Sequence, residues 1–218
     1  MNRTALIAGS SGLVGSHCLR YLLSDQHYHQ VVALVRNKLP LEHEKLMQHV
    51  VDFEQLNKYG FLFEVDDIYC CLGTTIRKAG SQKKFAKVDL EYVFKTAELA
   101  REKNVGQFLL VSALGADPRA SVFYNRIKGL AEESVIKFRF DSTLIFRPSL
   151  LLGERKEFRL GEEIAKRITA PLSPLLIGSL RKYRPIRAEI VAKAMVQTAK
   201  KNLTGLKIFD SDEIMEMV

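Results

Sequence analysis

Gly9-Ser10-Ser11-Gly12-Leu13-Val14-Gly15 is the stretch that decides the fold. It follows directly on a strand-like apolar run, Ala5–Ala8, and leads into Leu13–Ser24, which has helical spacing. Glycines at these three positions each have a use. Gly9 lets the chain turn sharply off a strand, Gly12 lets backbone approach a pyrophosphate, and Gly15 lets the helix lie close to the sheet. The new helix offers unpaired N–H groups and the positive end of its dipole to an anion, with Ser10 and Ser11 as hydroxyl donors beside it. In this strand-turn-helix setting the spacing predicts a nucleotide-binding loop, with Leu13 and Val14 as its first helical residues.

Outward from the loop, apolar runs of strand length alternate with helical stretches, the pattern of β-α-β units around a parallel sheet. The expected strands are Ala5–Ala8, Gln30–Val35, His49–Val51, Asp67–Cys71, Phe108–Ser112, Thr143–Phe146 and Lys207–Phe209. Several are continuous apolar runs, which predicts burial on both faces of a doubly wound α/β sheet. Helices are expected over Leu13–Ser24, Lys83–Lys103, about 123–137 and 187–200. In the second, Phe85, Val88, Tyr92, Val93, Thr96, Leu99 and Ala100 form one core-facing stripe. No repeat or linker divides the 218 residues, so one domain is expected. From about 153 to 186 the alternation lapses and Pro171 and Pro174 break the pattern, which predicts a small irregular lobe on the substrate side.

Composition narrows the partners. With 47% hydrophobic residues the chain can fill a core, and with 6 Pro and 13 Gly it is far from a disordered or collagen-like scaffold. No apolar run approaches the ~20 residues of a spanning helix. No export signal is read, because glycines interrupt the first apolar patch from Gly9 onward. Cys18, Cys70 and Cys71 are an odd count without metal-type spacing, so neither a disulfide framework nor a metal site is expected, and a reducing cytoplasm is. The net charge of +8 is concentrated: Arg155 to Arg187 holds nine basic and three acidic residues. A second run, Arg77, Lys78, Lys83, Lys84 and Lys87, contains no acid. These runs predict either solvated helix faces or a positive rim that draws in an anionic small-molecule substrate. Nucleic acid is not expected, since the chain has no Trp and no aromatic residues interleaved with its basic runs. Monomer and homodimer are both compatible with the sequence.

Two further positions bear on the cofactor. The second strand ends at Val35-Arg36-Asn37, where a binder of NAD usually carries Asp or Glu for the ribose hydroxyls. A guanidinium suits a 2′-phosphate, so Arg36 predicts NADPH in preference to NADH. Asp52 and Phe53 close the third strand where an adenine ring would lie, and Leu72-Gly73-Thr74 after the fourth would run along the middle of the dinucleotide. Tyr124 and Lys128 are four apart on a predicted helix and share a face. An ammonium near a phenol lowers the phenol's pKa from ~10 and can hold the nicotinamide ribose, leaving the tyrosine to pass a proton to or from a carbonyl oxygen. Ser112, at the end of the preceding strand, is placed to bond the same oxygen.

Taken together, the glycine turn, Cys70-Cys71-Leu72-Gly73-Thr74-Thr75, Lys78-Ala79-Gly80, Val88-Asp89, Ser112 to Asp117, Tyr124-x-x-x-Lys128-Gly129 and Phe146-Arg147-Pro148 resemble the atypical short-chain dehydrogenase/reductase group that contains the Tat-interacting protein. The resemblance covers most of the first 155 residues. It implies a Rossmann-type fold that binds NADPH, with Tyr124 as proton donor and Lys128 as its partner. One position departs from the superfamily pattern: the strand commonly ends in two serines, the second catalytic, and here the pair reads Ser112-Ala113. Three readings stay open. The first is an NADP-dependent oxidoreductase for a small carbonyl or alcohol. The others are an NADPH-binding regulatory or redox-sensing protein with weak or no turnover, and an isomerase or dehydratase that retains its cofactor.

Overall fold

A computed structural model describes residues 3–153 and 178–218. Its centre is a seven-stranded, wholly parallel sheet in the order β3-β2-β1-β4-β5-β6-β9. In chain order these strands are β1 (Arg3–Ala8), β2 (Tyr28–Val35), β3 (Leu46–Val50), β4 (Asp67–Cys70), β5 (Gln107–Val111), β6 (Ser142–Arg147) and β9 (Gly205–Asp210). Two short strands, β7 (Leu151–Leu152) and β8 (Ile186–Arg187), pair separately. The helices are α1 (Leu13–Ser24), α2 (Ile76–Ala79), α3 (Gln82–Ala86), α4 (Tyr92–Glu102), α5 (Phe123–Ile136), α6 (Ala188–Ala199) and α7 (Ser211–Glu216). This is the Rossmann-type α/β architecture. Among the described residues no helix is long and apolar enough to cross a membrane.

Strand side chains alternate between the two faces of the sheet, and each face has its own core. On one, Ala5, Ile7, Val31, Ala33, Leu109 and Val111 join α1 and α6 residues such as Cys18, Leu22, Val191 and Met195. On the other, Leu6, Ala8, Val32, Phe108, Leu110 and Ile145 join Val93 and Ala97 of α4, Ala131 and Val135 of α5, and Leu56 and Phe63 of a 3₁₀ segment, Phe53–Phe63. Burial on both sides explains why the strands read as unbroken apolar runs.

The differences from expectation are local. The third strand begins at Leu46 rather than His49, because Val31 of β2 already pairs with Leu46. The expected helix 83–103 is continuous from Gln82 to Glu102, with α3 and α4 joined by a π-helical turn, Lys87–Glu91. A π turn inserts one extra residue. Within this segment Val88 is only half-buried, and Asp89, four residues from both Phe85 and Val93, is fully buried. The β7–β8 pair is too short to leave a periodic signal. Of the expected lobe over 153–186, residues 154–177 lie outside the described residues, together with Arg155, Lys156, Arg159, Lys166 and Arg167.

At the amino end of the sheet, away from the loop, a buried carboxylate ties strands together. Asp67 accepts hydrogen bonds from Arg3 Nε (3.0 Å), Tyr28 Oη (2.7 Å) and Gln107 Nε2 (2.9 Å), and Tyr28 and Tyr69 share a hydroxyl contact of 2.8 Å. A buried charge needs such partners, since removing one side of a buried pair costs about 3–5 kcal/mol.

Candidate active site

The order of strands reverses between β1 and β4, which opens a crevice at their carboxyl ends, the usual ligand site of open α/β sheets. The loops at this point are Gly9–Gly12 after β1 and Cys71–Thr74 after β4. They are in contact: a Cβ built on Gly9, whose φ is +90°, would lie 2.4 Å from the Cys71 carbonyl oxygen. A Cβ on Gly15 would lie 2.2 Å from the Gly9 oxygen, so α1 starts hard against the turn. Gly12 differs. Its nearest neighbour would be the Gly9 oxygen at 3.1 Å, it is exposed, and its backbone is extended.

Gly12 is the N-cap of α1, no side chain bonds the first-turn N–H groups, and no acid sits in that turn. The positive end of the helix therefore faces the crevice uncompensated. Ser10 is buried and its Oγ has no hydrogen-bond partner, while Ser11 is exposed beside it. Leu13 is half-buried and packs against Gly153, and Val14 is buried in the core. A buried polar atom left without a partner in a groove of bare backbone is what an absent anion's binding surface looks like.

Arg36, Asn37 and Lys38 are all exposed just past β2. Arg36 makes no ion pair among the described residues, and the next loop is held by Gln48, which bonds the Leu39 N–H (2.8 Å) and the Leu41 carbonyl (2.8 Å). Beside it, Asp52 caps the 3₁₀ segment by accepting from Glu54 N–H and Gln55 Nε2, both at 2.9 Å. The Phe53 ring is buried against Tyr92, with centroids 5.5 Å apart.

On the far side stands α5. Gly129 lets it close on the preceding loop: a Cβ there would lie 2.2 Å from both the Asp117 carbonyl carbon and the Pro118 nitrogen. This seats Tyr124 and Lys128 on the crevice side of the sheet. The Tyr124 ring is half-buried and packs on Phe85, with centroids 5.6 Å apart. Ser112 bonds the Phe146 carbonyl through its N–H (2.8 Å), continuing the β5 alternation onto the α4–α5 face; its Oγ is buried without a partner, and Ala113 beside it is buried too. Arg147 lies apart from this group in a bidentate pair with buried Glu132 (2.9 and 2.5 Å).

Lys128 has a partner that the tyrosine–lysine spacing does not show. Its Nζ lies 2.8 Å from Oδ1 of the fully buried Asp89, and the other Asp89 oxygen accepts the Thr74 N–H at 2.8 Å. Burial alone would pull the ammonium down, but the facing carboxylate outweighs it and holds Lys128 above the ordinary lysine value. Gly73 leaves the space above this pair: a Cβ there would sit 3.3 Å from Asp89 Oδ1 and 3.5 Å from Lys128 Nζ. Leu72 is buried below it. The glycine turn thus touches the Cys71–Thr74 loop, and that loop reaches Lys128 and its neighbour Tyr124 through Gly73 and Asp89, while Ser112, Arg36 and Asp52 follow the carboxyl ends of β5, β2 and β3.

The basic rim is partly neutralised. Lys87 pairs with Glu54 at 2.5 Å and Arg181 with Glu216 at 3.0 Å, while Lys83 and Lys84 are exposed.

Comparison with known proteins agrees with this fold. Residues 9–166 match the family model described as NAD(P)H-binding. Protein HTATIP2 of Rattus norvegicus is 40% identical over 175 residues, covering 78% of this chain and 72% of the relative. "Protein FMP52, mitochondrial" of Candida albicans is 31% identical over 93% of this chain and 90% of its own length. Among solved structures, a putative NAD-dependent epimerase/dehydratase from Bacillus halodurans superposes with a TM-score of 0.70 over the whole of both chains at 20% identity, which speaks for the fold. The chain belongs to the NAD(P)H-binding family, within the atypical short-chain dehydrogenase/reductase group that includes the Tat-interacting protein.

Proposed function

We propose that this chain is an NADP-dependent oxidoreductase acting on a small carbonyl or alcohol. The observation that carries the reading is Lys128, an ammonium kept charged inside the protein one helical turn from the Tyr124 phenol and facing the loop opposite the glycine turn. The residues present fit a dinucleotide. Gly9, Gly12 and Gly15 leave bare backbone, the Ser10 hydroxyl lacks a partner, and the α1 N-terminus is open for a pyrophosphate. Arg36, with Ser11, suits a 2′-phosphate, which favours NADPH over NADH.

Bound NADPH supplies the hydride. The chain's own groups handle the proton and the geometry. Tyr124 gives its phenolic proton to the substrate oxygen in reduction and takes it back in oxidation, and the Lys128 charge stabilises the phenolate left behind. Lys128 also holds the ribose hydroxyls on the nicotinamide side. Ser112 bonds the substrate oxygen and so fixes the carbonyl against the tyrosine. Exposed Lys83 and Lys84 near the crevice favour an anionic substrate, whose capture then weakens with salt, because screening shortens the field to ~10 Å at 0.1 M. The decisive experiment is a carbonyl panel followed at the NADPH absorbance. Oxidation that disappears in Tyr124→Phe supports the reading.

One observation favours a second reading. Ala113 stands where the superfamily's second serine carries the catalytic hydroxyl, which suits an NADPH-binding regulatory or redox-sensing protein with weak or no turnover. Under that reading NADPH raises the melting temperature but no carbonyl oxidises it. We further place the chain in the cytoplasm on its three free cysteines, a proposal that cell fractionation tests.

A further inference from the structure

We propose that Asp89 is a positioning residue that acts through Lys128, anchoring its ammonium at the crevice and joining it to the Leu72–Thr74 loop. The inference rests on the reading of Lys128 as the group that holds the cofactor's ribose. Three observations support it. Asp89 is fully buried, yet neither carboxylate oxygen serves its own helix: one faces Lys128 Nζ at 2.8 Å and the other takes the Thr74 N–H at 2.8 Å. It sits in the π turn Lys87–Glu91, four residues from both Phe85 and Val93, which are buried like it, so it lies on the core-facing side of this helical segment. Gly73, at the loop beside it, leaves open the space over both charged groups.

A buried carboxylate costs free energy to desolvate, and a purely structural tie between α5 and the loop needs no charge. A charge is needed if the lysine must stay ionised inside the protein. Among the described residues, the titratable groups acting on Lys128 are Asp89, Tyr124 on its own helix and Cys70 at the end of β4. Of these Asp89 alone is a carboxylate. Without it, burial is left to lower the lysine, and the ammonium gives up its proton at lower pH than in the unchanged chain.

The test measures NADPH affinity by calorimetry from pH 6 to 10 on the full chain, Asp89→Asn, Lys128→Met and the double variant. Asparagine keeps the size of the side chain and an oxygen for the Thr74 N–H. The unchanged chain should bind with flat affinity across this range. Asp89→Asn should bind at least tenfold more weakly at pH 9 than at pH 6, because its lysine titrates within the range. The double variant should bind no more weakly than Lys128→Met, as expected if Asp89 acts only through the lysine. A flat profile for Asp89→Asn at unchanged affinity overturns the inference. So does a double variant weaker than Lys128→Met, which would put Asp89 on the cofactor itself. If the variants do not fold, the unchanged chain with ¹⁵N-labelled lysine decides. Lys128 is the one buried lysine among the described residues, and its protected ammonium resonance should persist at pH 9 and shift when NADPH is added. No protected resonance, or one that NADPH leaves in place, overturns the inference. Absence of any NADPH binding by the unchanged chain instead overturns the reading of the site on which it stands.

Discussion

Gly12 and Gly15 are three residues apart in one loop, and replacing each by alanine should separate binding from folding. At Gly15 the new methyl group would lie 2.2 Å from the Gly9 oxygen and 2.8 Å from its carbonyl carbon, so backbone must move by about an ångström. Such overpacking costs about 1–3 kcal/mol, and backbone, unlike a flexible side chain, yields little. Against this stands the better helix propensity of alanine, about 1 kcal/mol. The net loss is about 2 kcal/mol at the top of that range. For a chain of this size 1 kcal/mol moves the melting temperature by about 2–4 °C, so Gly15→Ala should melt about 4–8 °C lower. At Gly12 the methyl meets nothing nearer than 3.1 Å and the φ of −78° suits alanine. Only a weaker N-cap is expected there, worth well under about 2 kcal/mol. Yet this is the methyl that projects where the pyrophosphate should lie. NADPH at 100 times its Kd stabilises by about 2.7 kcal/mol, a rise of about 5–11 °C in the parent chain. Gly12→Ala should fold and lose that rise. The readout is far-UV circular dichroism on heating, with and without NADPH, since the chain has no Trp. A Gly12→Ala chain that keeps the whole rise refutes the assignment of this turn to the phosphates.

Other consequences can be checked in parallel. Arg36→Glu should reverse the NADPH-over-NADH preference, and an unchanged affinity ratio would remove the basis for assigning the 2′-phosphate to this residue. Tyr124→Phe should lower turnover by about 10²–10⁴ while leaving NADPH affinity as it was, and full activity would make the phenol a bystander. Stability should fall in alkali. Burial pushes the Cys70 thiol from its ordinary value near 9 up to about 12. Between these values the unfolded thiol loses its proton and the folded one keeps it, so the unfolded chain binds fewer protons and stability drops as pH rises. About 1.4 kcal/mol should be gone by pH 10 and nothing below about pH 8. Tyr28 and Tyr69, also raised by burial, add to the loss above pH 10. Cys71, raised by its hydrogen bond with Cys18 and by burial, adds to the loss over the same range, so Cys70→Ala should remove only its own share between pH 9 and 10, and a denaturant midpoint that drops equally in that variant would contradict the assignment.

The sheet was legible because burial on both faces leaves unbroken apolar runs such as Phe108–Val111, and the glycine turn because only glycine tolerates the contacts at Gly9 and Gly15. Strand ends were less so. Gln107, Ser142 and Gly205 lie in their strands because neighbouring backbone pairs with them, which polarity in a single sequence does not reveal. Asp89 was visible only as part of a family resemblance. An acid four residues after Phe85 does not by its spacing announce burial, and the Lys128 ammonium that faces it comes from another helix. The same holds for Asp67, whose partners Arg3, Tyr28 and Gln107 come from three other strands. Lys87 read as part of a basic run, and only folding brings Glu54 to it.

We propose that the crevice between β1 and β4 holds NADPH. Titration of the chain with NADPH, followed by NADH, in a calorimeter decides this. Saturable heat at one site per chain is expected, tighter for NADPH and abolished by Gly12→Ala. No heat from either dinucleotide, or equal heat from the Gly12→Ala chain, contradicts it.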